Sequence, residues 1–508
     1  LNTPASSQKY LENLLRILNE SLSVTPNQPY VLYKLANTLH DLKRYAEAVA
    51  SYRSAIALKP DFVEANFNCG NTLQILKKFD EAVSCYDRAI AVNPNYAKAY
   101  ANRGNALQEL KRLDEAIASY DSAIAINPDL AAAYSNRGIA LKKLKRPQES
   151  LASYNQAIAI DPNQANAYSN RGLTLLDLKR LDEALNNYEQ AITLNPHFAE
   201  AYWNKSLLKL LNGEYEEGWA LYEWGWKSAN RKPARKFSQP LWLGEQLLSN
   251  KTLLIYPEQG LGDYIQFIRY AALVEGLGGK AIIEAPAPLQ SVISTLPCQF
   301  ILMENGQMAA DFDYQCPVMS LPLAFKTTVE TIPAQTPYLY ANKTKQSIWQ
   351  KHLGEKSKPR VGLAWSGSNS HSNDHNRSIP LKQFEPLFHL PIEFHCLQNE
   401  IRPVDAWYMA DLGNLENHQD LLNDFSDTAA LMMELDLVIS VDTSIVHLAG
   451  ALGQKVWILL PYIADFRWMQ DSTKTPWYPT ARLYRQQAMG EWGRVIAEIG
   501  DDLKMLLN

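Results

Sequence analysis

Cysteine is scarce in this chain: five residues in 508, and Cys69, Cys85, Cys298, Cys316 and Cys396 show no paired spacing. They form no disulfide framework and read as buried or incidental thiols in a reducing compartment. Long apolar runs are also missing, so no segment approaches the length of a membrane span, and the opening residues carry no basic-then-apolar signal. Nor is there an excess of positive charge. Lys and Arg total 49 against 54 Asp and Glu, a formal charge of −5, which argues against strong nucleic-acid binding. The expectation is a cytoplasmic protein, 46% hydrophobic and long enough for several domains.

What is present is a rhythm. Proline falls at Pro26, Pro60, Pro94, Pro128, Pro162 and Pro196, always 34 residues apart, and then the spacing stops. Other residues keep the same phase. Tyr100, Gly104, Leu107, Ala116, Tyr120 and Ala123 reappear as Asn66, Gly70, Leu73, Ala82, Tyr86 and Ala89, and again as Tyr168, Gly172, Leu175, Ala184, Tyr188 and Ala191. The small residues suit close crossing of paired helices, the tyrosines fill gaps between hairpins, and each proline ends a second helix. This set closely resembles the tetratricopeptide repeat, a helical hairpin that buries its apolar face only by stacking on its neighbours. The resemblance implies an α-helical superhelix over residues 1–228. It has five good repeats, a half-repeat before Pro26 and a degenerate sixth with Ser206, Gly218 and Gly225, as expected of a cap packed against something else.

A basic, proline-containing stretch then marks a linker over residues 229–250. Beyond it, short apolar runs alternate with helical segments. Strands are expected at Thr252 to Tyr256, Ala281 to Glu284, Arg360 to Trp365, Glu393 to Leu397, Leu437 to Ser440 and Val456 to Leu460, and a helix from Asp263 to Val274. This alternation predicts two doubly wound, Rossmann-like α/β halves, 251–345 and 358–508, facing one another across a cleft. The final helix, with Trp492, Val495, Ile496, Ile499, Leu503 and Leu506 on one face, is expected to tie the halves together.

Two loops carry the chemical signal. Glu258-Gln259-Gly260-Leu261-Gly262-Asp263 follows the first strand and opens a helix, where free amide groups and glycine backbone can approach a ligand. Ser440-Val441-Asp442-Thr443-Ser444 runs from a strand into a helix containing His447 and Gly450, and its hydroxyls and amides suit a diphosphate. In each case the alternative is a simple helix cap, by Asp263 or by Thr443. His447 either touches the diphosphate or packs under its loop.

With Val361-Gly362-Leu363-Ala364-Trp365-Ser366-Gly367, Arg377-Ser378-Ile379-Pro380-Leu381 and His447-Leu448-Ala449-Gly450, these segments resemble the heptosyltransferase-like glycosyltransferases of the inverting, metal-independent GT-B class. Behind tetratricopeptide repeats, the whole chain looks like a bacterial relative of the O-linked N-acetylglucosamine transferases. The resemblance implies Asp263 as catalytic base. It implies donor contacts from Gly262, Trp365, Ser366, Gly367, Asp442, Thr443, Ser444 and His447, with Arg377 as the cation opposite the leaving diphosphate. The implied co-substrate is a nucleoside diphosphate sugar such as UDP-N-acetylglucosamine, with no cofactor and no metal. Asp311-Phe312-Asp313 copies the Asp-x-Asp of metal-dependent enzymes but lies in an irregular segment, and His371 and His375 occupy a polar loop and not a helix face.

On the repeats, Asn68, Asn102, Asn136, Asn170 and Asn204 share one phase. Such a row can hold the backbone of an extended protein or peptide acceptor on the concave face, as the resemblance implies, or can bond between neighbouring hairpins. Three functions follow: transfer of a sugar to a protein hydroxyl, assembly of cell-surface polysaccharide, or a repeat scaffold without catalysis.

Overall fold

The computed structural model describes residues 4–228, 231, 234–304, 306–307, 311–369, 373–470 and 472–507. Its contacts divide the chain into two compact units, Leu1–Ala201 and Tyr202–Asn508.

The first unit opens with the helix Pro4–Val24 and continues as five helical hairpins. These are Pro29–Asp41 with Tyr45–Leu58, Val63–Ile75 with Phe79–Val92, Ala97–Glu109 with Leu113–Ile126, Ala131–Lys143 with Pro147–Ile160, and Ala165–Asp177 with Leu181–Leu194. Each hairpin turns through a lysine in the left-handed region, Lys43, Lys77, Lys111, Lys145 and Lys179, with φ between 55° and 61°. In the first, the Arg44 N–H donates to the Leu39 carbonyl at 2.8 Å, which closes the helix end. The glycines are where the helices cross. A methyl group on Gly70, Gly104, Gly138 or Gly172 would come within 2.5–2.8 Å of the buried ring of Tyr86, Tyr120, Tyr154 or Tyr188.

A polar ladder runs through the front of this stack and then ends. The Tyr86 hydroxyl donates to Asn71 Oδ1 at 2.8 Å, and the same oxygen accepts from Asn102 Nδ2 of the next hairpin at 2.8 Å. Tyr120, Asn105 and Asn136 repeat the pattern at 2.9 and 2.8 Å, and Tyr52, Asn37 and Asn68 form it one hairpin earlier. In the last two repeats the place of Asn71 is taken by Ile139 and Leu173. The hydroxyls of Tyr154 and Tyr188 are consequently buried without a partner.

The second unit begins inside the sixth hairpin, Ala199–Leu211 with Tyr215–Tyr222. Trp219 meets Phe267 and Phe466 edge-on at 5.7 Å, and Trp477 Nε1 donates to the Tyr215 hydroxyl at 3.2 Å. The degenerate repeat therefore spends its aromatic residues on the α/β fold.

That fold holds two all-parallel sheets. β1 (Thr252–Tyr256), β2 (Lys280–Ala285), β3 (Phe300–Glu304) and β4 (Tyr314–Pro317) lie in the order β3-β2-β1-β4. β5 (Arg360–Ala364), β6 (Glu393–Cys396), β7 (Leu415–Glu416), β8 (Leu437–Val441), β9 (Val456–Leu460) and β10 (Ala481–Arg485) lie in the order β10-β9-β8-β5-β6-β7. The expected strands are all present. β3, β7 and β10 are additional edge strands, and β4 supplies the other neighbour of β1. The expected first helix is divided into Leu261–Phe267 and Ala271–Gly276 by a 3₁₀ turn. The final helix, Trp492–Leu507, does not bridge the halves. Its apolar face, Trp492, Val495, Ile496, Ile499 and Leu503, joins the core formed with Leu387, Phe388 and β5, β6 and β8, and Leu506 is exposed.

Candidate functional site

In parallel sheets the strand order reverses at a switch point, where neighbouring loops at the carboxyl ends splay apart and leave a crevice. Here the loop after β1 leaves between β2 and β4, and the loops after β5 and β8 leave from adjacent central strands. The sequence-predicted residues lie on these three loops.

The helix Leu261–Phe267, which follows β1, and the helix Ser444–Ala451, which follows β8, meet at Gly262, through the first turn of each. A methyl group there would lie 2.8 Å from His447 Cδ2 and 3.3 Å from Ser444 Cα. Glycine is thus needed for close approach of two backbones, which a sequence cannot show. His447 is buried beneath this contact, its Nδ1 3.0 Å from the Tyr478 hydroxyl and its ring stacked on Trp468. Burial, reinforced by the guanidinium groups of Arg467, Arg269 and Arg377, pushes its imidazole well below the usual range, so it is neutral. The side chain packs under the loop, with Nδ1 committed to Tyr478.

Asp263 does cap its helix: Oδ2 accepts from the Gly260 N–H at 2.9 Å. Its other oxygen is ion-paired with Arg467 from the segment after β9. Arg467 also donates to Gln266 Oε1 at 2.8 Å and to Asp465 Oδ1 at 2.6 Å. Burial works against its charge, but the carboxylates of Asp465 and Asp263 outweigh that and hold the guanidinium above its ordinary value. Sequence reasoning missed Arg467. The only local signal is an arginine between two aromatics, Phe466 and Trp468, where a core segment would carry an apolar residue.

Arg377 ends a one-turn helix, Asp374–Arg377, which forms in the segment expected to be a loop. Its guanidinium is folded back over Gly367, where a methyl group would collide with it, and Nη1 donates to the Asp442 carbonyl at 2.8 Å. Its Nε is buried without a hydrogen-bond partner. It is not a solvated surface arginine. The half-buried Asp442 carboxyl is pushed up to about 6, first by burial and then by the neighbouring Asp465 carboxylate. Thr443 caps the helix of His447, accepting from the Ile445 N–H at 3.3 Å, and Ser444 is partly exposed.

Trp365 has to be removed from the donor set. Its side chain is fully buried in the core, and its indole donates to Asp405 Oδ2 at 3.0 Å. Gln398 holds the loop behind it, accepting from the amides of Trp365 and Ser366 at 2.6 and 2.8 Å and donating to Ser366 Oγ at 2.9 Å. Ser366 is therefore buried and committed, while Gly367 donates its amide to Ser378 at 3.0 Å.

The decoys have ordinary partners. Asp313 accepts from Lys251 Nζ and the Thr252 amide at 2.8 Å each. His371 lies outside the described residues, and His375 is exposed. Glu258, from the predicted loop, is buried against Arg231 and accepts from the Met319 amide at 2.9 Å. Burial lifts its carboxyl to about 7 although Arg231 pulls the other way.

On the repeats, Asn68, Asn102 and Asn136 commit their amide donors to the preceding hairpin. Asn170 faces Ile139 in the corresponding place, and Asn204 lies in the second unit. The repeat family model itself matches residues 97–130, 131–164 and 165–198, and a related repeat model matches 36–77 and 75–111. Residues 36–198 are tetratricopeptide repeats. A curated relative, Protein FlbA of Caulobacter vibrioides, is 28% identical over 321 residues, covering 57% of this chain and 53% of the relative. The chain thus spans about half the length of the curated relative it matches. Among solved structures, the tetratricopeptide protein YrrB is 21% identical and covers 37% of this chain and 98% of its own, with a TM-score of 0.34. MamA is 22% identical over 33% of this chain and 97% of its own, with a TM-score of 0.31. Among the described residues no helix is long and apolar enough to cross a membrane.

Proposed function

We propose that the second unit is an inverting glycosyltransferase of the GT-B type. It would move a sugar from a nucleoside diphosphate, UDP-N-acetylglucosamine in the first instance, to a hydroxyl on a protein held by the tetratricopeptide repeats. The observation that carries this reading is the meeting of the loops after β1 and β8 at Gly262. Asp263 with Arg467, Arg377 against the Asp442 carbonyl, and the partly exposed Thr443 and Ser444 lie on the segments that follow β1, β5, β8 and β9, which supports the reading.

In this reading the leaving diphosphate is neutralised by Arg377, Arg467 and the amides at Ser444, without a divalent cation. Asp263 takes the proton from the acceptor hydroxyl as the diphosphate departs from the opposite face of the sugar carbon. Arg467 is shared. An incoming diphosphate competes with Asp263 for its guanidinium, and so frees a carboxylate oxygen when the donor is in place. The repeats supply an extended binding surface for the acceptor.

The test is release of UDP from UDP-N-acetylglucosamine by the purified chain, with and without candidate acceptor proteins and with no added magnesium or manganese. Absence of turnover and of nucleotide binding across a panel of nucleoside diphosphate sugars would reject the reading. A second function, a repeat scaffold without catalysis, is favoured by one observation: both Asp263 oxygens already have partners. Nucleotide binding that leaves the Asp263 to Arg467 pair intact, with no transfer, would select it.

A further inference from the structure

At the far edge of the six-stranded sheet, β6 and β7 bring together three side chains that the cleft does not use. His395 on β6 pairs in register with Glu416 on β7, and His418 follows two residues later. His395 Nδ1 lies 3.0 Å from His418 Nε2, and each nitrogen is 3.7 Å from the same Glu416 oxygen. A point equidistant from these three donors lies about 2.0 Å from each, which is the length of a zinc–nitrogen or zinc–oxygen bond. The two imidazoles are 1% and 3% exposed and the carboxylate 58%, so the triangle has a dry side and a side open to water.

We propose that His395, Glu416 and His418 bind one divalent transition-metal ion of the zinc class, with solvent as the fourth ligand. Two imidazoles and one carboxylate are the donor set of zinc, cobalt, nickel or copper, whereas magnesium and calcium take oxygen. The rings are held in place without the ion: Trp349 and His352 stand edge-on to His418, at 5.1 and 5.6 Å between centroids. The ion has a mechanical task. β7 is two residues long and pairs with β6 only through Phe394 to Leu415 and His395 to Glu416. A metal bridge clamps this short edge strand to β6, whose continuation presents Gln398 to the Ser366 loop. The site is separate from the crevice, and its occupancy does not depend on the glycosyltransferase reading.

The test uses the untagged full chain, stripped with a chelator and titrated with cobalt(II) and then zinc. A single saturable cobalt site with the intense visible bands of four-coordinate cobalt, displaced by zinc, is expected. His418→Gln should abolish those bands, and Glu416→Gln, at an exposed position, should weaken cobalt binding by at least about tenfold. Both variants should melt with the stripped wild type when chelator is present, and zinc should raise the midpoint most in the wild type, less in Glu416→Gln and not in His418→Gln. If His418→Gln fails to fold, Glu416→Gln carries the comparison. No saturable cobalt binding at micromolar concentration, or equal binding by wild type and Glu416→Gln, overturns the proposal and leaves a hydrogen-bonded histidine pair.

Discussion

The repeats are joined by polar contacts between residues 15 and 31 apart, whereas Arg467 reaches Asp263 and Gln266 across 204 and 201 residues. The first kind of contact is copied every 34 residues, so a fault in one copy is local and its neighbours act as controls. The second kind exists once. Losing Arg467 or Gly262 affects both sheets together.

The largest expected effect tests the cleft. Asp263→Asn should lower sugar transfer by about 10²–10⁴-fold, the usual worth of a general base, while UDP affinity measured by calorimetry is kept or raised, because the competitor for Arg467 is neutralised. Near-normal turnover would remove Asp263 from the chemistry and leave it a helix cap and ion-pair partner.

Next come the close crossings, which set the two regions against each other directly. Gly104→Val forces a side chain into the Tyr120 ring and should cost about 1–3 kcal/mol. The loss should appear as early melting of part of the repeat array, with nucleotide binding retained. Gly262→Val forces the same overlap at His447 and should weaken nucleotide binding as well as lower the melting temperature. If both variants melt in the same way and bind nucleotide equally, the contrast between serial and single contacts is wrong.

A finer cut runs within the repeats. Tyr86→Phe and Tyr120→Phe each remove a hydrogen bond and should cost about 0.5–1.5 kcal/mol. Tyr154→Phe and Tyr188→Phe remove a buried hydroxyl with no partner and should be neutral or stabilising in urea melts. Asn102→Ala should likewise destabilise the fold. Asn170→Ala should not, so any loss of acceptor binding in that variant reports on the acceptor.

A last contrast is in pH dependence. The Asp442 carboxyl is raised from an ordinary 3.8 to about 6, so the folded chain holds this proton more tightly than the unfolded chain. The stability cost is absent below the lower value and complete above the upper one. Melting temperatures of Asp442→Asn should therefore gain on wild type as pH rises through that window and run parallel above it. A gap of constant size at all pH values would mean that the shift is not what the substitution relieves.

These contrasts also explain what could be read from the sequence. The hairpins, their crossing glycines and the central strands β1, β5, β8 and β9 were legible because each is a local pattern, a 34-residue phase or an apolar run buried on both faces. β7, with two residues, and β10, which alternates at a sheet edge, lack such a run, while β3 has one, Phe300 to Met303, of which only Met303 is buried. The two loops of the crevice were legible as strand-to-helix turns. Which side chains complete it was not: Trp365 belongs to the core because Asp405 accepts its indole N–H, and Arg467 enters from a segment without regular periodicity. The asparagine row was visible, but the bonding of Asn68, Asn102 and Asn136 to the preceding hairpin depends on which neighbour each amide meets.

The contact at Gly262 bears on how the two sheets are joined as well as on where the side chains lie. The Gly262 backbone lies there against the neutral, stacked ring of His447 and the backbone of Ser444. Any side chain larger than hydrogen at that place would have to displace the ring or the Ser444 backbone. The two sheets are therefore keyed to one another beside Asp263, the next residue in the chain, and Arg467 holds the same point through its ion pair.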